Sequence, residues 1–374
     1  MTAVYGFLEE YDGSRAIFNT VTQTEIQSTE NAASALEDSW VEFSELPLLW
    51  RPYLDEGRWY RFDISNDSDH EVNLQANLRH SLDAEQSESI WASHPERIDY
   101  RTTEGKWLIS KFSLTNLRTP NFYEIEEAVD ESLRSKVADS LICYNVGQGS
   151  CAALCSKGEP VLYFDFGRGF GRNAKTYPTN FKPRLKNNPL IVLSHWHMDH
   201  WLLGDKFPQS QEMVWIVPLQ KIGPMAFKFA SKVNANKNGK LLIWSKSLAP
   251  LGTPIGDFYK LPSHNHRNQS GIVLIAKIHH HNHTSVALLP GDAAYNRIPH
   301  QGRRFDGLIA THHGGKWYPK DIPPTPNKHG GVLAISLGKN NSHGHPAHNT
   351  LHKYQQSKWT SPKTTDCFGD IRVL

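Results

Sequence analysis

The sequence predicts a layered α/β domain preceded by a smaller β-rich one, and three observations lead to that expectation. From residue 140 onward, apolar runs that read as buried strands alternate with turns rich in glycine or histidine. Before it, strand-like stretches are separated by turn signals. The two parts also differ electrically: residues 1–140 carry 27 acids, 12 bases and 3 histidines, whereas residues 141–374 carry 11 acids, 28 bases and 17 histidines, net −15 against +17. At roughly 100–200 residues per domain, a chain of 374 residues holds two. The expected division is an acidic, β-rich domain over 1–135 with a linker helix at its end, and a second domain over 140–374.

In chain order, "AVYGFLEEYDGSRAIFNT" predicts a hairpin closed at Asp12-Gly13, and "DEGRWYRFDISNDSD" a further strand after a turn. Together they resemble a small barrel of the OB or cold-shock type. The negative charge of this part argues against the nucleic-acid-binding use of such a barrel, because phosphates would be repelled. The stretch "FYEIEEAVDESLRSKVA", residues 122–138, has apolar positions at helical spacing and predicts the linker helix.

Beyond it, "SLICYNVGQGSCAAL" reads as strand, Gly-rich turn, strand; "PVLYFDFG" as a strand ending in an acid; and "NPLIVLSHWHMDH" as a buried strand that delivers a histidine cluster. "GIVLIAKIHHHNHTSVALLPGD" predicts a hairpin whose second strand ends in Gly291-Asp292. The "HHHNH" run at 279–283 lies at its tip and is expected to be a solvated turn. "FDGLIATHHGG" and "GGVLAISLGKNNSHGHP" are strands followed by His312-His313 and by His345. Every buried strand thus ends in a potential ligand, which places a site at one edge of the sheets.

Composition narrows the classes. A hydrophobic content of 39%, with 11 Trp, 13 Tyr and 16 Phe, fits a globular protein. No apolar run approaches the roughly 20 residues that cross a bilayer, so no membrane partner is expected. The start "MTAVYGFLEEYDG" has no basic stretch followed by an apolar one, which favours the cytoplasm. Cys143, Cys151, Cys155 and Cys367 form neither a disulfide framework nor a structural zinc site, and are expected to be buried or incidental thiols.

The chemistry concentrates in "LSHWHMDHW", residues 193–201. A loop leaving a strand can direct His195 and His197 to one ion and Asp199 and His200 to another. Two cations need a bridging carboxylate and further imidazoles, and Asp292 with the pair His312/His313 occupies the right kind of strand end. Such ligands suit Zn2+, with Mn2+ or Fe as alternatives.

These residues carry a resemblance. "HWHMDH" resembles the HxHxDH signature of the metallo-β-lactamase superfamily, a four-layer αββα hydrolase fold, while "YFDFG" and "LLPGD" resemble its strand and bridging-aspartate motifs. More narrowly, "YNVGQGS", "THHGG" and "SLGKNNSHGHP" resemble motifs in the hydrolase domain of the DNA-uptake competence protein ComEC; the match covers about residues 140–352. The sequence departs from that protein in lacking a membrane channel and in carrying Asn145 where the first motif usually has Asp. The resemblance implies one metal on His195 and His197, a second on Asp199 and His200, and Asp292 between them. It also implies His266 as third ligand of the first ion, preferred to His264 because it stands four residues before Ser270. His312 and His313 are left as alternatives for the last ligand. Asp165 is implied to steady a ligand or the metal-bound water.

The expected function is a metal-dependent hydrolase of phosphodiester bonds, a nuclease acting on DNA or RNA through a metal-activated hydroxide, with two divalent ions, Zn2+ or Mn2+. Asp199 would orient the water or accept its proton. His345 would contact substrate or protonate the leaving group, and Lys316 and Asn341 would bind substrate. Two alternatives stand beside it: a phosphodiesterase for a cyclic nucleotide or phospholipid headgroup, and a non-catalytic metal-binding module whose acidic first domain recruits a protein partner.

Overall fold

The computed structural model describes residues 1–28, 36–66, 74–80, 87–246, 249–300, 302–316, 321–327 and 330–374. The last residues of the expected strand stretch, 67–69, lie outside the described ones. The chain divides into two compact units, Met1–Arg118 with Lys221–Asn234, and Thr119–Gln220 with Ala235–Leu374.

In the first unit, strands Thr2–Tyr11 and Ala16–Thr22 form the expected hairpin, pairing Val4 with Thr22 and Tyr11 with Ala16. Asp12 builds its turn, its carboxylate accepting from the amides of Ser14 and Arg15 at 2.9 and 2.7 Å. The antiparallel ladder continues through Trp40–Phe43, Leu74–Arg79, Glu88–Ala92 and Trp59–Ser65, and the last pairs back onto Thr2–Tyr11. Six described strands therefore close a barrel without a free edge, a form compatible with an OB-like domain though one strand larger than its usual five. Phe18, Phe43 and Phe62 fill it, edge to face at 5.3–5.9 Å.

Two features depart from the expected division. The segment 221–234, from the middle of the supposed second domain, is part of the first unit: Asn19 Oδ1 accepts from the Met225 amide at 2.7 Å, Lys228 Nζ meets Asp38 at 2.9 Å, and Phe227 packs on Phe112. Conversely, the helix Phe122–Leu133, capped by Asn121, is no linker. It buries Ile125, Ala128, Val129 and Leu133 in the core of the second unit. With 21 acids and 10 bases in residues 1–118 and three lysines in 221–234, the first unit carries −8 and the second +10. The contrast in sign stays and its size halves.

The second unit holds two seven-stranded mixed sheets. One runs Lys240–Trp244, Val214–Pro218, Leu190–Val192, Glu159–Phe166, Cys151–Ser156, Ser140–Cys143, Ile371–Arg372; the other Leu251–Thr253, Gly256–Lys260, Ile272–His279, Thr284–Leu289, Gly307–Ile309, Val332–Ile335, Lys363–Thr364. Their facing sides share one core, in which Leu154, Leu162, Phe164 and Ile216 meet Phe258, Leu274, Ile278 and Leu289. Outside the second sheet lies the helix His348–Gln356, whose Tyr354 joins Tyr295, Leu308 and Leu333. Against the first, the Trp215 indole donates to Ser210 in the short turn Pro208–Glu212. The central strands Leu190–Val192 and Gly307–Ile309 are buried along their whole length, as strands covered on both faces must be. The "HHHNH" run is the exposed tip of the hairpin between Ile272–His279 and Thr284–Leu289, closed by the His280 amide on the His283 carbonyl.

Candidate metal centre

The histidine loop begins where Leu190–Val192 ends: Leu193 still pairs with Ile216, and Ser194 to Asp199 then turn into the short 3-10 helix Met198–His200. Two glycines let other backbones approach this loop. A Cβ on Gly167 would lie 1.8 Å from the Asp199 carbonyl oxygen. One on Gly291, at φ 57°, would lie 2.6 Å from Ser194 Oγ. The glycines of "YFDFG" and "LLPGD" are thus packing requirements of the site.

The side chains gather in two groups, each with ligand atoms within 4.8 Å of one another: His195, His197 and Asp292 in the first, Asp199, His200 and His313 in the second. Asp292 faces both. Its Oδ2 lies 3.5 Å from His195 Nε2 and its Oδ1 3.3 Å from His200 Nε2. Asp199 turns Oδ2 to His313 Nε2 at 3.2 Å and Oδ1 to His200 Nε2 at 3.7 Å.

Three of these imidazoles are fixed from behind. His200 Nδ1 donates to Asp165 Oδ2 at 2.8 Å, and His313 Nδ1 donates to the Ser336 carbonyl at 2.8 Å. His195 Nδ1 donates to Ser194 Oγ at 3.0 Å, and that hydroxyl gives its one proton to Asp165 at 2.9 Å. The opposite nitrogens, Nε2 of His195, His200 and His313, are buried without a hydrogen-bond partner. A buried polar atom left so costs about 1–3 kcal/mol, and three together are accounted for when their lone pairs converge on cations. Carboxylate and imidazole donors, with the outer nitrogen held by a carboxylate or carbonyl, suit such ions.

The backbone is strained at the same place. Asp165, His312 and His313 have φ of 61°, 50° and 51°, left-handed conformations that cost a non-glycine residue on the order of 1–3 kcal/mol each. For Asp165 the cost is offset by bonds from the Ser194 amide and hydroxyl and from His200. Burial opposes charge on His200, yet Asp292, Asp165 and Asp199 around it raise its pKa well above the usual histidine value. Burial likewise opposes ionisation of Asp292, and His200 and His195 outweigh it, holding the carboxyl well below its ordinary range. His197 is pushed the other way, well down, by burial and then by the Arg267 guanidinium.

His266 departs from the expected arrangement: it is exposed and outside both groups, its amide donating to His264 Nδ1 at 3.1 Å and its ring stacked on that of His264. The turn Arg267–Gln269 sends Arg267 inward instead, and the guanidinium donates to the Trp196 carbonyl at 3.1 Å. Of the two alternatives, His313 joins the second group. His312 is 41% exposed, with Nε2 3.9 Å from Asp292 Oδ2 on the side of the first.

The Asn341 side chain is engaged within its own loop. Its amide nitrogen donates to the carbonyls of Gly338 and His345, and its oxygen accepts from the His345 amide at 2.9 Å, so both ends hold the turn that carries His345. Lys316 is exposed, three residues past His313. The His345 ring lies 5.5 Å from that of His312 and 6.4 Å from that of His313.

Sequence reasoning missed Gln148, Ser194 and Arg267. Gln148 is buried in the "VGQGS" turn; its oxygen accepts from the Gly338 amide, so its nitrogen is the donor to His345 Nδ1 at 3.3 Å. That polarity puts the proton of neutral His345 on Nε2. Burial, then His312, His313 and His343, lower the His345 pKa to about 2, so the ring is neutral. The motif marked Gln148 as part of a turn; nothing in one sequence marks which imidazole a glutamine will meet. Asn145 is also a turn residue, its side chain accepting from Gly147 and its amide donating to Asp370.

No family model and no curated protein matches the chain. Among solved structures it is similar to the metallo-β-lactamase fold protein YhfI from Bacillus subtilis, at 14% identity over 60% of this chain and 95% of that one, with a TM-score of 0.37. It is similar to MEM-A1, a subclass B3 metallo-β-lactamase isolated from a soil metagenome library, at 13% identity over 48% and 80%, TM-score 0.30. It is also similar to CmlA, a diiron β-hydroxylase from Streptomyces venezuelae, at 15% identity over 47% and 34%, TM-score 0.29.

Proposed function

We propose that the second unit is a metal-dependent phosphodiesterase of the metallo-β-lactamase type, and that its substrate is a nucleic acid. The observation that carries the reading is the convergence of the unpartnered, buried Nε2 atoms of His195, His200 and His313 on two carboxylates, one of which, Asp292, turns an oxygen to each group. Two divalent cations bound there would supply an acidified water and draw charge from a phosphoryl oxygen. His195, His197 and Asp292 would hold one, Asp199, His200 and His313 the other.

The chain's own groups do the rest. Asp199, whose carboxylate stands at the second group 3.2 Å from His313 Nε2, would orient the attacking water or accept its proton. His345, neutral and protonated on Nε2, donates a hydrogen bond to a phosphoryl or leaving oxygen. Nucleic acid is favoured as substrate by the +10 charge of this unit and by the resemblance of "YNVGQGS", "THHGG" and "SLGKNNSHGHP" to a DNA-handling hydrolase.

The test is a panel of labelled single- and double-stranded DNA and RNA incubated with the full chain and Mn2+ or Zn2+. Cleavage of a nucleic acid, abolished by chelator and by His197→Ala with the fold intact, is the expected result. Cleavage of a cyclic mononucleotide or a phospholipid headgroup alone sinks the nuclease reading.

A further inference from the structure

Away from the histidines, the second unit carries a cleft of about 600 Å3 to which no role has been given. Its inner wall is aromatic. Tyr144 and Phe181, both half-buried, stand ring to ring at 5.4 Å, with Tyr163 beneath them. The Tyr163 hydroxyl is engaged with the amide and carbonyl of Arg184, so the floor is fixed and its polar groups are satisfied. The rim is cationic: Lys182, Arg184 and Arg372 are exposed, against one lining carboxylate, Asp370, which accepts from the Asn145 amide at 2.9 Å. Arg184 also reaches Glu159 at 3.4 Å, a surface pair that water and salt screen.

The cleft is tied to the metal centre by two segments. Thr176 Oγ1 accepts from the Gln148 amide, and five residues later the same loop supplies Phe181 to the cleft wall. Tyr144 and Asn145 line the cleft, while Gln148, three residues on, bonds His345. Three residues span at most about 11 Å.

Aromatic faces beside a cationic rim are the two elements by which proteins hold single-stranded nucleic acid: bases stack, and phosphates meet Lys and Arg. An acidic peptide would use the cations and leave the aromatic faces without a stacking partner. We propose that this cleft binds unpaired nucleotides of the substrate strand flanking the scissile bond, with a base against Tyr144 and Phe181 and phosphates at Lys182, Arg184 and Arg372. The proposal deepens the nuclease reading and rests on it for the identity of the strand.

The test uses the full chain in EDTA, so that nothing is cleaved, and a fluorescein-labelled strand of ten deoxythymidines read by anisotropy. The expected result is binding that Phe181→Leu weakens about tenfold, in line with the loss of one stacked base. The double variant Lys182→Gln/Arg184→Gln should lower the slope of log affinity against log salt by about 1.4, or roughly 0.7 per phosphate released. Thermal unfolding midpoints confirm that the variants fold. Affinities indifferent to all these changes overturn the proposal, as does no binding by the unaltered chain. So does displacement by polyglutamate as readily as by unlabelled strand. Hydrolysis of bis(4-nitrophenyl) phosphate with Mn2+ separates the two readings. Hydrolysis with variant-indifferent strand binding sinks the cleft and keeps the phosphodiesterase; variant-sensitive binding without hydrolysis does the reverse.

Discussion

The two groups of the candidate metal centre offer the same kinds of ligand atom in different surroundings. Behind the second group, Asp199, His200 and His313, lies a buried carboxylate: Asp165 holds His200 Nδ1 directly. Behind the first, His195, His197 and Asp292, lies a buried cation, Arg267, with a second, Lys260, further back. Arg267 donates to Trp196 and presses on His197, and Lys260 donates to the carbonyls of Leu261 and Ser270. Ser270 is in turn bonded by Gln220, whose oxygen takes the Trp196 amide. Charge behind a ligand adds to or subtracts from the field an arriving cation feels. The first ion should therefore be held less tightly than the second.

The largest effect tests what the groups share. Asp292→Ala removes the carboxylate that faces both and should lower phosphodiester hydrolysis by more than about a hundredfold, since even outer partners of metal ligands are worth about 10–100-fold; retained activity would break the picture of a joint centre. Next comes the inequality itself. Calorimetric titration with Zn2+ should show two events of different affinity, with His313→Ala removing the tighter and His197→Ala the weaker; the opposite assignment reverses the comparison.

Asp165→Asn, which keeps the shape and removes the charge, should weaken the tighter event by about 10–100-fold and the weaker one less, because Asp165 reaches His195 only through the Ser194 hydroxyl, by the same titration.

A pH experiment probes the cationic side. Burial lowers the Lys260 pKa to about 8 from the ordinary 10.5. Between those values the unfolded chain binds the proton and the folded chain does not, so this group's contribution makes stability rise with pH across that window, by at most about 3 kcal/mol. Lys260→Met should flatten the rise in denaturant midpoint from pH 8 to pH 10; an unchanged slope would show that the ammonium is not desolvated. Smallest of all, His266→Ala should change neither binding event by more than about twofold, because its ring stands in solvent.

The part of this site legible in the sequence was the part built within one short segment. His195, His197, Asp199 and His200 lie in a single loop, where spacing alone constrains how far apart their side chains can be. Asp292 and Asp165 were legible because each stands at the end of an apolar strand run, within two residues of a glycine. The third position of the first group was not. His266 and Arg267 are neighbours, and which of them turns inward depends on the 3-10 turn Arg267–Gln269 and on the Trp196 carbonyl waiting inside. His312 and His313 were inseparable for the same reason: two consecutive left-handed residues send their rings to different places, and no pattern of polarity records a positive φ.

The fold divides along the same line. Strand and hairpin positions followed from apolar runs and turn residues, which act over a few neighbours. The excursion of residues 221–234 into the first unit, and of the helix Phe122–Leu133 into the second, is decided by contacts with residues about a hundred or more positions away. An amphipathic helix states that one face must be buried; it does not state against what. By itself, then, the sequence determined which segments become strands, that their ends carry imidazole and carboxylate, and the sign of the charge on each part. Only the tertiary structure decided which of those groups meet, since that depends on how the sheets pack and on which backbone closes against Gly167 and Gly291, and neither is a local property of the chain.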